Sequence, residues 1–410
     1  MPRRQRWRPV KGTGSRIYEP WERGLLGAAD LLGRAFFGVA RLRERARQTI
    51  QDPAAIREVL VLRLDRIGDV IMSLPALADL RAALPWARIR LAVGRWSAEI
   101  AEIAPVDEVL VWNAPWVGRR AEGAQSVAAL ARQARGLRLA RPDLALDLQG
   151  DIRALLLMRL TGARVRVGYA NTGGAYLLTR VVELDETAGW VEQNRRAVAT
   201  ALGFRPQAQP LELLTDADRD FARRLLESLG LAARRPLVGV HPSGGRLVKQ
   251  WDLARWAEVA ARLQREHGAT ILLTGSAADA PLSRALAAQA TLPPVDLTGR
   301  LSLRETLALI AALDLFLSPD TGPMHMACAV GTPSVSVFGP SDPLRYFSGG
   351  DGAPGSRHVV VRPELWCSPC NLIRKPPAEC AGPESPECLR LVKVETVYRE
   401  AARLLAAHRA

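Results

Sequence analysis

Ten short apolar runs, separated by helical stretches, constrain this 410-residue chain more than any other feature of its sequence. The first group reads "VLVLRL" (59–64), "IRLAVG" (89–94), "EVLVW" (108–112), "LALDLQ" (144–149) and "VRVGY" (165–169). The rhythm then restarts with "PLVGVHPS" (236–243), "TILLTGS" (270–276), "PVDLTG" (294–299), "LFLSPD" (315–320) and "PSVSVFGP" (333–340). Runs that are apolar throughout, rather than alternating, are strands covered on both faces, and helices between them make the sheet parallel. A charged helical segment, "TDADRDFARRLLESLGLAARR", lies between the groups. The pattern predicts an α/β chain of two Rossmann-like, doubly wound domains facing a cleft. Its parts are an N-terminal domain over 58–205, a helical linker over 206–235 and a C-terminal domain over 236–362. A cysteine-bearing loop (363–392) and a last helix (393–410) follow. With 48% hydrophobic residues, the chain has enough apolar surface for two such cores.

Residues 1–57 stand apart. They carry 13 Lys and Arg against 5 Asp and Glu, an excess of eight within a net charge of +14. Leu25, Leu32, Phe36 and Val39 recur there at roughly helical spacing, interrupted by Asp30 and Arg34. The run is short for a spanning helix and shows no cleavage site of signal-peptide type. A basic amphipathic helix on an anionic membrane surface, through residues 1–50, is one expectation; a helix packed on the protein body is the other. Nothing else in the sequence is long and apolar enough to span a bilayer, so the bulk of the chain is expected to be soluble. Nucleic acid is not an expected partner, because no helix-turn-helix, zinc finger or aromatic single-strand platform stands out.

Doubly wound sheets bind ligands at the carboxyl ends of their strands, near the point where the strand order reverses. Polar residues cluster at those ends. After the first strand, "RLDRIGDVIMSLPAL" places Gly68 where backbone can approach a ligand closely, with Asp69 beside a helix start. An Asp there caps the helix or takes a proton from an attacking hydroxyl; taken alone, the residues favour the cap. In "HPSGGRLVKQWD", Ser243, Gly244 and Gly245 offer backbone N–H groups to a phosphate, and Lys249 offers a positive charge, with Arg246 a weaker second cation. A lone loop lysine is ordinarily just solvated; the glycines and the helix start nearby raise the odds of an anion site. Gly275, in "LTGS", and Thr298 and Gly299, in "LTGR", are weaker signals, since glycine after a strand is ordinary turn chemistry. "SPDTGPMHMACAVGTP" runs a strand into Asp320, Thr321, Gly322 and Pro323 at a helix start, with His325 one turn in. No G-x-G-x-x-G or Walker A sequence is present, which removes support for nicotinamide and P-loop chemistry.

These segments, together and in this order, resemble the heptosyltransferase family of glycosyltransferases, family nine, over roughly residues 57–400. The N-terminal arm has no counterpart in that pattern. The resemblance implies the GT-B fold, with a nucleotide-sugar donor mostly on the second domain and a lipid-linked saccharide acceptor mostly on the first. It implies transfer of heptose, or a related sugar, from an ADP-sugar to an acceptor like the lipopolysaccharide core. Asp69 falls where the family has its catalytic base. Ser243 and Lys249 fall at the diphosphate, and Asp320, Thr321, Gly322 and His325 around the phosphates and the donor sugar. The expected reaction is inverting and needs no metal or other cofactor: the departing diphosphate relies on Lys249, N–H donors and a helix N-terminus. A non-catalytic nucleotide- or glycan-binding protein of envelope assembly on the same fold is the alternative. The resemblance also implies that the last helix crosses back to the first domain.

Of five cysteines, Cys328 sits in a small-residue helix and reads as core. Cys367, Cys370, Cys380 and Cys388 follow C-x2-C-x9-C-x7-C in a proline-rich loop. That spacing leaves structural zinc, free thiols and two disulfides open, with disulfides disfavoured in a cytoplasmic setting.

Overall fold

The computed structural model describes residues 52–117, 123–290, 292–350, 352–353, 355–373, 376–380 and 386–409, together with Gly27 and Gly33. The proposed membrane-facing residues Leu25, Leu32, Phe36 and Val39 therefore lie outside the described residues. Of that stretch, Gly27 is exposed and Gly33 is buried. A Cβ at Gly33 would run into the ring of Tyr176, so this glycine is in contact with the first domain.

Two parallel six-stranded sheets form the molecule. The first comprises β1 (Glu58–Arg63), β2 (Arg88–Val93), β3 (Glu108–Val111), β4 (Leu144–Asp147), β5 (Val165–Gly168) and β6 (Arg180–Val181). The second comprises β7 (Leu237–Val240), β8 (Thr270–Leu273), β9 (Val295–Asp296), β10 (Leu315–Pro319), β11 (Ser334–Val337) and β12 (His358–Val361). Their orders are β3-β2-β1-β4-β5-β6 and β12-β11-β10-β7-β8-β9. Counted within each half these are the same order, and each reverses once, between β1 and β4 and between β7 and β10. The ten apolar runs all became strands. The pattern missed β6 and β12, the outer strands at one edge of each sheet, which are short and only partly buried. An edge strand packs on one neighbour and needs no continuous apolar run.

Helices cover both sheets. They include α1 (Ile67–Ala83), α2 (Val127–Gly136), α3 (Ile152–Leu160), α4 (Trp190–Leu202), α5 (Asp216–Ser228), α6 (Leu253–His267), α7 (Ala280–Ala287), α8 (Leu303–Ala311), α9 (Gly322–Val330), α10 (Pro343–Tyr346) and α11 (Val394–Arg409). The charged linker forms α5, which Thr215 caps and whose Asp218 pairs with Arg304 of α8 at 2.7 Å. One apolar core runs from the first sheet through α1 into α8 and α9, joining Val61 and Leu77 to Leu309 and Met326 without a break. The last helix departs from the family-based expectation. It stays on the second domain, with Val397, Ala401, Leu404 and Leu405 in the core of that sheet. These positions form one stripe at helical spacing, and Arg262 of α6 ties the helix down through Glu395 at 2.6 Å. Among the described residues no helix is long and apolar enough to cross a membrane.

Candidate active site

Both points of reversed strand order open onto one region. From β1 the chain turns into α1, whose first residues are Ile67, Gly68 and Asp69; from β10 it turns through Asp320 and Thr321 into α9. The two helix starts touch. A Cβ at Gly68 would lie 2.5 Å from Cδ2 of His325, and one at Gly322 would lie 3.2 Å from Cβ of Ile67. Glycine at both positions therefore serves close approach between the domains, rather than an unusual backbone angle.

Asp69 is a cap, and more than a cap. Its Oδ2 accepts the Arg66 backbone N–H at 3.1 Å, which closes the first turn of α1. Its Oδ1 stands 3.6 Å from the Arg63 guanidinium, and the side chain remains about a quarter exposed (24%) at the domain junction. One carboxylate oxygen is thus held by backbone while the other lies beside a cation.

Lys249 is not a solvated loop lysine. Its Nζ lies 2.7 Å from Oδ2 of Asp320, with the two side chains 17% and 7% exposed. Burial raises the Asp320 carboxyl, but the charge and hydrogen bond of Lys249 outweigh it and hold the group below the usual carboxylate range. His325 is buried, with Nδ1 2.9 Å from the Ser348 hydroxyl. Burial pushes its imidazole down to about 4, against the pull of Asp320 and Asp69, so it is neutral at pH 7. Thr321 spends its hydroxyl on the Pro319 carbonyl at 3.3 Å, and Pro323 has no N–H. The start of α9 accordingly offers fewer amide donors than a helix opening without proline.

The remaining predicted residues form a second group on the same side of the second sheet. Gly244 packs tightly on the Lys249 carbonyl, so the loop after β7 is compact. The Ser243 hydroxyl accepts the Gly245 N–H at 3.3 Å. Gly275 sits between Asp279 and Thr298, and the Gly299 N–H donates to the Gly275 carbonyl at 2.8 Å. Thr298 is held by Ser283, Oγ to Oγ 2.7 Å. His241 Nδ1, 3.1 Å from the Thr274 carbonyl, links this group to the end of β7.

Sequence reasoning missed an ionic cluster on the first domain, buried at Arg63 and Asp147 and half-buried at Asp65. Arg63, Asp65 and Asp147 lie inside or just after the apolar runs "VLVLRL" and "LALDLQ", and a charge within such a run was the available signal. Burial pushes the Asp65 carboxyl up to about 7 and that of Asp147 up to about 8. Oδ1 of each has no hydrogen-bond partner in the structure. Asp151 caps α3 and pairs with Arg153 at 2.6 Å.

Residues 130–379 match glycosyltransferase family 9 (heptosyltransferase), more than half of the chain. The chain belongs to that family. It is a glycosyltransferase of the GT-B fold. It is 25% identical over 298 residues to lipopolysaccharide core heptosyltransferase OpsX of Haemophilus influenzae, covering 71% of this chain and 81% of that one. It is 28% identical over 332 residues to lipopolysaccharide heptosyltransferase 1 of Pseudomonas aeruginosa, covering 76% and 85%. The solved Escherichia coli heptosyltransferase WaaC with ADP-2-deoxy-2-fluoro heptose is similar at 25% identity and TM-score 0.55, over 74% of this chain and 92% of that one. Family membership favours the enzyme over a binding protein on the same scaffold.

The four-cysteine loop stands outside this site. Cys367, Cys370, Cys380 and Cys388 are all free thiols, Cys388 buried and the others half-buried. Among the described residues no three His, Cys, Asp or Glu are grouped to hold a metal ion, so the geometry gives the zinc reading no support. The loop instead braces the segment after β11: the Ser368 hydroxyl donates to the Gly339 carbonyl at 2.7 Å, and the Asn371 side chain accepts the Asp342 N–H at 2.9 Å.

Proposed function

We propose that this protein transfers a heptose from ADP-heptose to an acceptor of the lipopolysaccharide inner core, with inversion and without a metal. The observation that carries the reading is the meeting of two helix starts from opposite domains. It sets Asp69 on one side of the junction and the Lys249–Asp320 pair on the other. Asp69 acts as the general base: Oδ2 is fixed by the Arg66 N–H, and Oδ1 is left to receive the proton of the acceptor hydroxyl. As the glycosidic bond to the diphosphate breaks, negative charge builds on the leaving oxygen. Lys249 meets that charge, exchanging part of its contact with Asp320 for the phosphates, and the Gly322 amide at the start of α9 adds a donor. His325, neutral and packed on Gly68, shapes the wall beside the sugar and excludes water there. Ser243 and Gly244, in the loop that carries Lys249, meet the diphosphate, and the group at Gly275, Thr298 and Gly299 takes the nucleoside side of the donor. The names of the relatives support the acceptor class, and the fluoro-heptose complex of WaaC supports the donor.

The deciding experiment is Asp69→Asn, assayed by ADP release from ADP-heptose with heptose-deficient core oligosaccharide. Turnover should fall by roughly 10²–10⁴, the usual worth of acid–base catalysis, while ADP affinity stays near wild type. Normal turnover with merely a lower melting temperature would leave Asp69 as a helix cap and remove the proposed mechanism.

We further propose that the enzyme works on the cytoplasmic face of the inner membrane, with its basic arm on anionic lipid. The excess of eight positive charges in residues 1–57 supports this, as does an acceptor anchored in lipid.

A further inference from the structure

Arg63 is 1% exposed, deep in the first domain at the end of β1. Burying a guanidinium is costly unless its donors are met, and here each edge of the fork has a partner. Nε donates to the Asp69 carbonyl at 3.1 Å, Nη2 faces Asp69 Oδ1 at 3.6 Å, and Nη1 donates to the Leu148 carbonyl at the end of β4. Nη1 also lies 3.8 Å from Asp65 Oδ2. The face of the group looks onto the Trp190 ring, 5.8 Å from its centroid, and that ring receives Arg345 of the second domain at the same distance. One planar cation therefore ties the first turn of α1 to the ends of both central strands.

We propose that Arg63 is the positioning residue of the base Asp69. It fixes the peptide of Asp69 against the sheet through Nε and sets its positive charge 3.6 Å from the Asp69 Oδ1. The inference rests on the proposed role of Asp69. The charged and titratable groups facing Asp69 are Arg63 from β1, Asp65 in the turn after it, Arg66 at its own helix start, His325 from α9 and Tyr346 from α10. Asp147 and Asp151 act on the same cluster through Asp65. Arg66 is exposed and reaches Asp69 by its backbone, so Arg63 is the buried cation among them. A lysine at this position would keep the charge but could not span two carbonyls and a carboxylate at once.

The test compares Arg63→Met, Arg63→Lys and Asp69→Asn in the full chain. It reads kcat, KM for core oligosaccharide, ADP affinity, melting temperature and the pH profile of kcat/KM. Misplacing a reacting group by about 1 Å costs on the order of 10²-fold. Arg63→Met should therefore lower kcat by about 30- to 100-fold with ADP affinity unchanged, and move the acidic limb of the profile to higher pH. Arg63→Lys should return the limb to its wild-type position and leave kcat intermediate. An unmoved profile in Arg63→Met, or a loss of rate that only follows the unfolded fraction, overturns the proposal. If Arg63→Met does not fold, Arg63→Gln is read by the same profile, and an unmoved limb again overturns it. Full activity in Asp69→Asn would mean that the base assignment has failed. A crippled Asp69→Asn beside a silent Arg63→Met would mean that only the role of Arg63 has failed.

Discussion

Replacing Lys249 by Met separates two consequences that an exposed loop lysine would not have. The first is structural. Asp320 has 7% of its side chain exposed and loses its partner at 2.7 Å, so a carboxylate remains buried without compensation. Removing one member of a fully buried pair costs about 3–5 kcal/mol; with Lys249 itself 17% exposed, about 2–3 kcal/mol is expected. The second is functional. A charge-assisted contact to the diphosphate contributes roughly 1.5–3 kcal/mol, so ADP should bind about 10- to 150-fold more weakly. The two effects part company in Lys249→Met/Asp320→Asn. That double variant replaces the ion pair by neutral side chains of similar size and should recover most of the stability while leaving ADP affinity low. Urea unfolding and calorimetric titration with ADP read the two quantities independently. Wild-type ADP affinity in the double variant would refute the reasoning, because Lys249 would then serve Asp320 alone. An unchanged urea midpoint in Lys249→Met would refute the burial argument. The acid response has a definite sign as well. The folded Asp320 carboxyl lies below its ordinary 3.8, so its contribution is complete above that value and is lost only as pH falls further.

Three further outcomes follow from the same geometry. Gly68→Ala improves helix propensity by up to about 1 kcal/mol, but its methyl must displace the His325 ring, 2.5 Å away; turnover should fall with ADP affinity kept, and unchanged turnover would show that the helix starts need not touch. His325 is held down to about 4 against an ordinary 6.5, so the unfolded chain takes up a proton first and stability should decline as pH falls from 6.5 to about 4; that slope should be shallower in His325→Asn, and an identical slope refutes the burial of this histidine. Deleting residues 1–50 should preserve nucleotide binding and abolish salt-sensitive binding to anionic liposomes, each basic residue near the surface contributing roughly 1 kcal/mol; equal sedimentation of truncated and full-length protein would make the arm a packing element, as the contact of Gly33 with Tyr176 suggests for its middle.

The sequence by itself determined the two sheets, because a run such as "LFLSPD" is a local record of burial on both faces. It also determined where to look for chemistry. The loops after β1, β7 and β10 are polar and glycine-bearing wherever a doubly wound sheet leaves its strand ends open. Tertiary structure alone decided what those residues touch. That Lys249 pairs with Asp320 depends on β7 and β10 being neighbours across some 70 residues of intervening chain, and no local pattern encodes that adjacency. The meanings of Gly68 and Gly322 were hidden for the same reason: each is glycine because of a side chain on the other domain. Arg63 drew no reading from its apolar run, because its partners, the Leu148 carbonyl after β4 and the Asp69 carboxylate of α1, meet it only in the fold. The last helix went to the second domain because its stripe at Val397, Ala401 and Leu404 fits that sheet, and an amphipathic pattern states that a face is buried without stating against what.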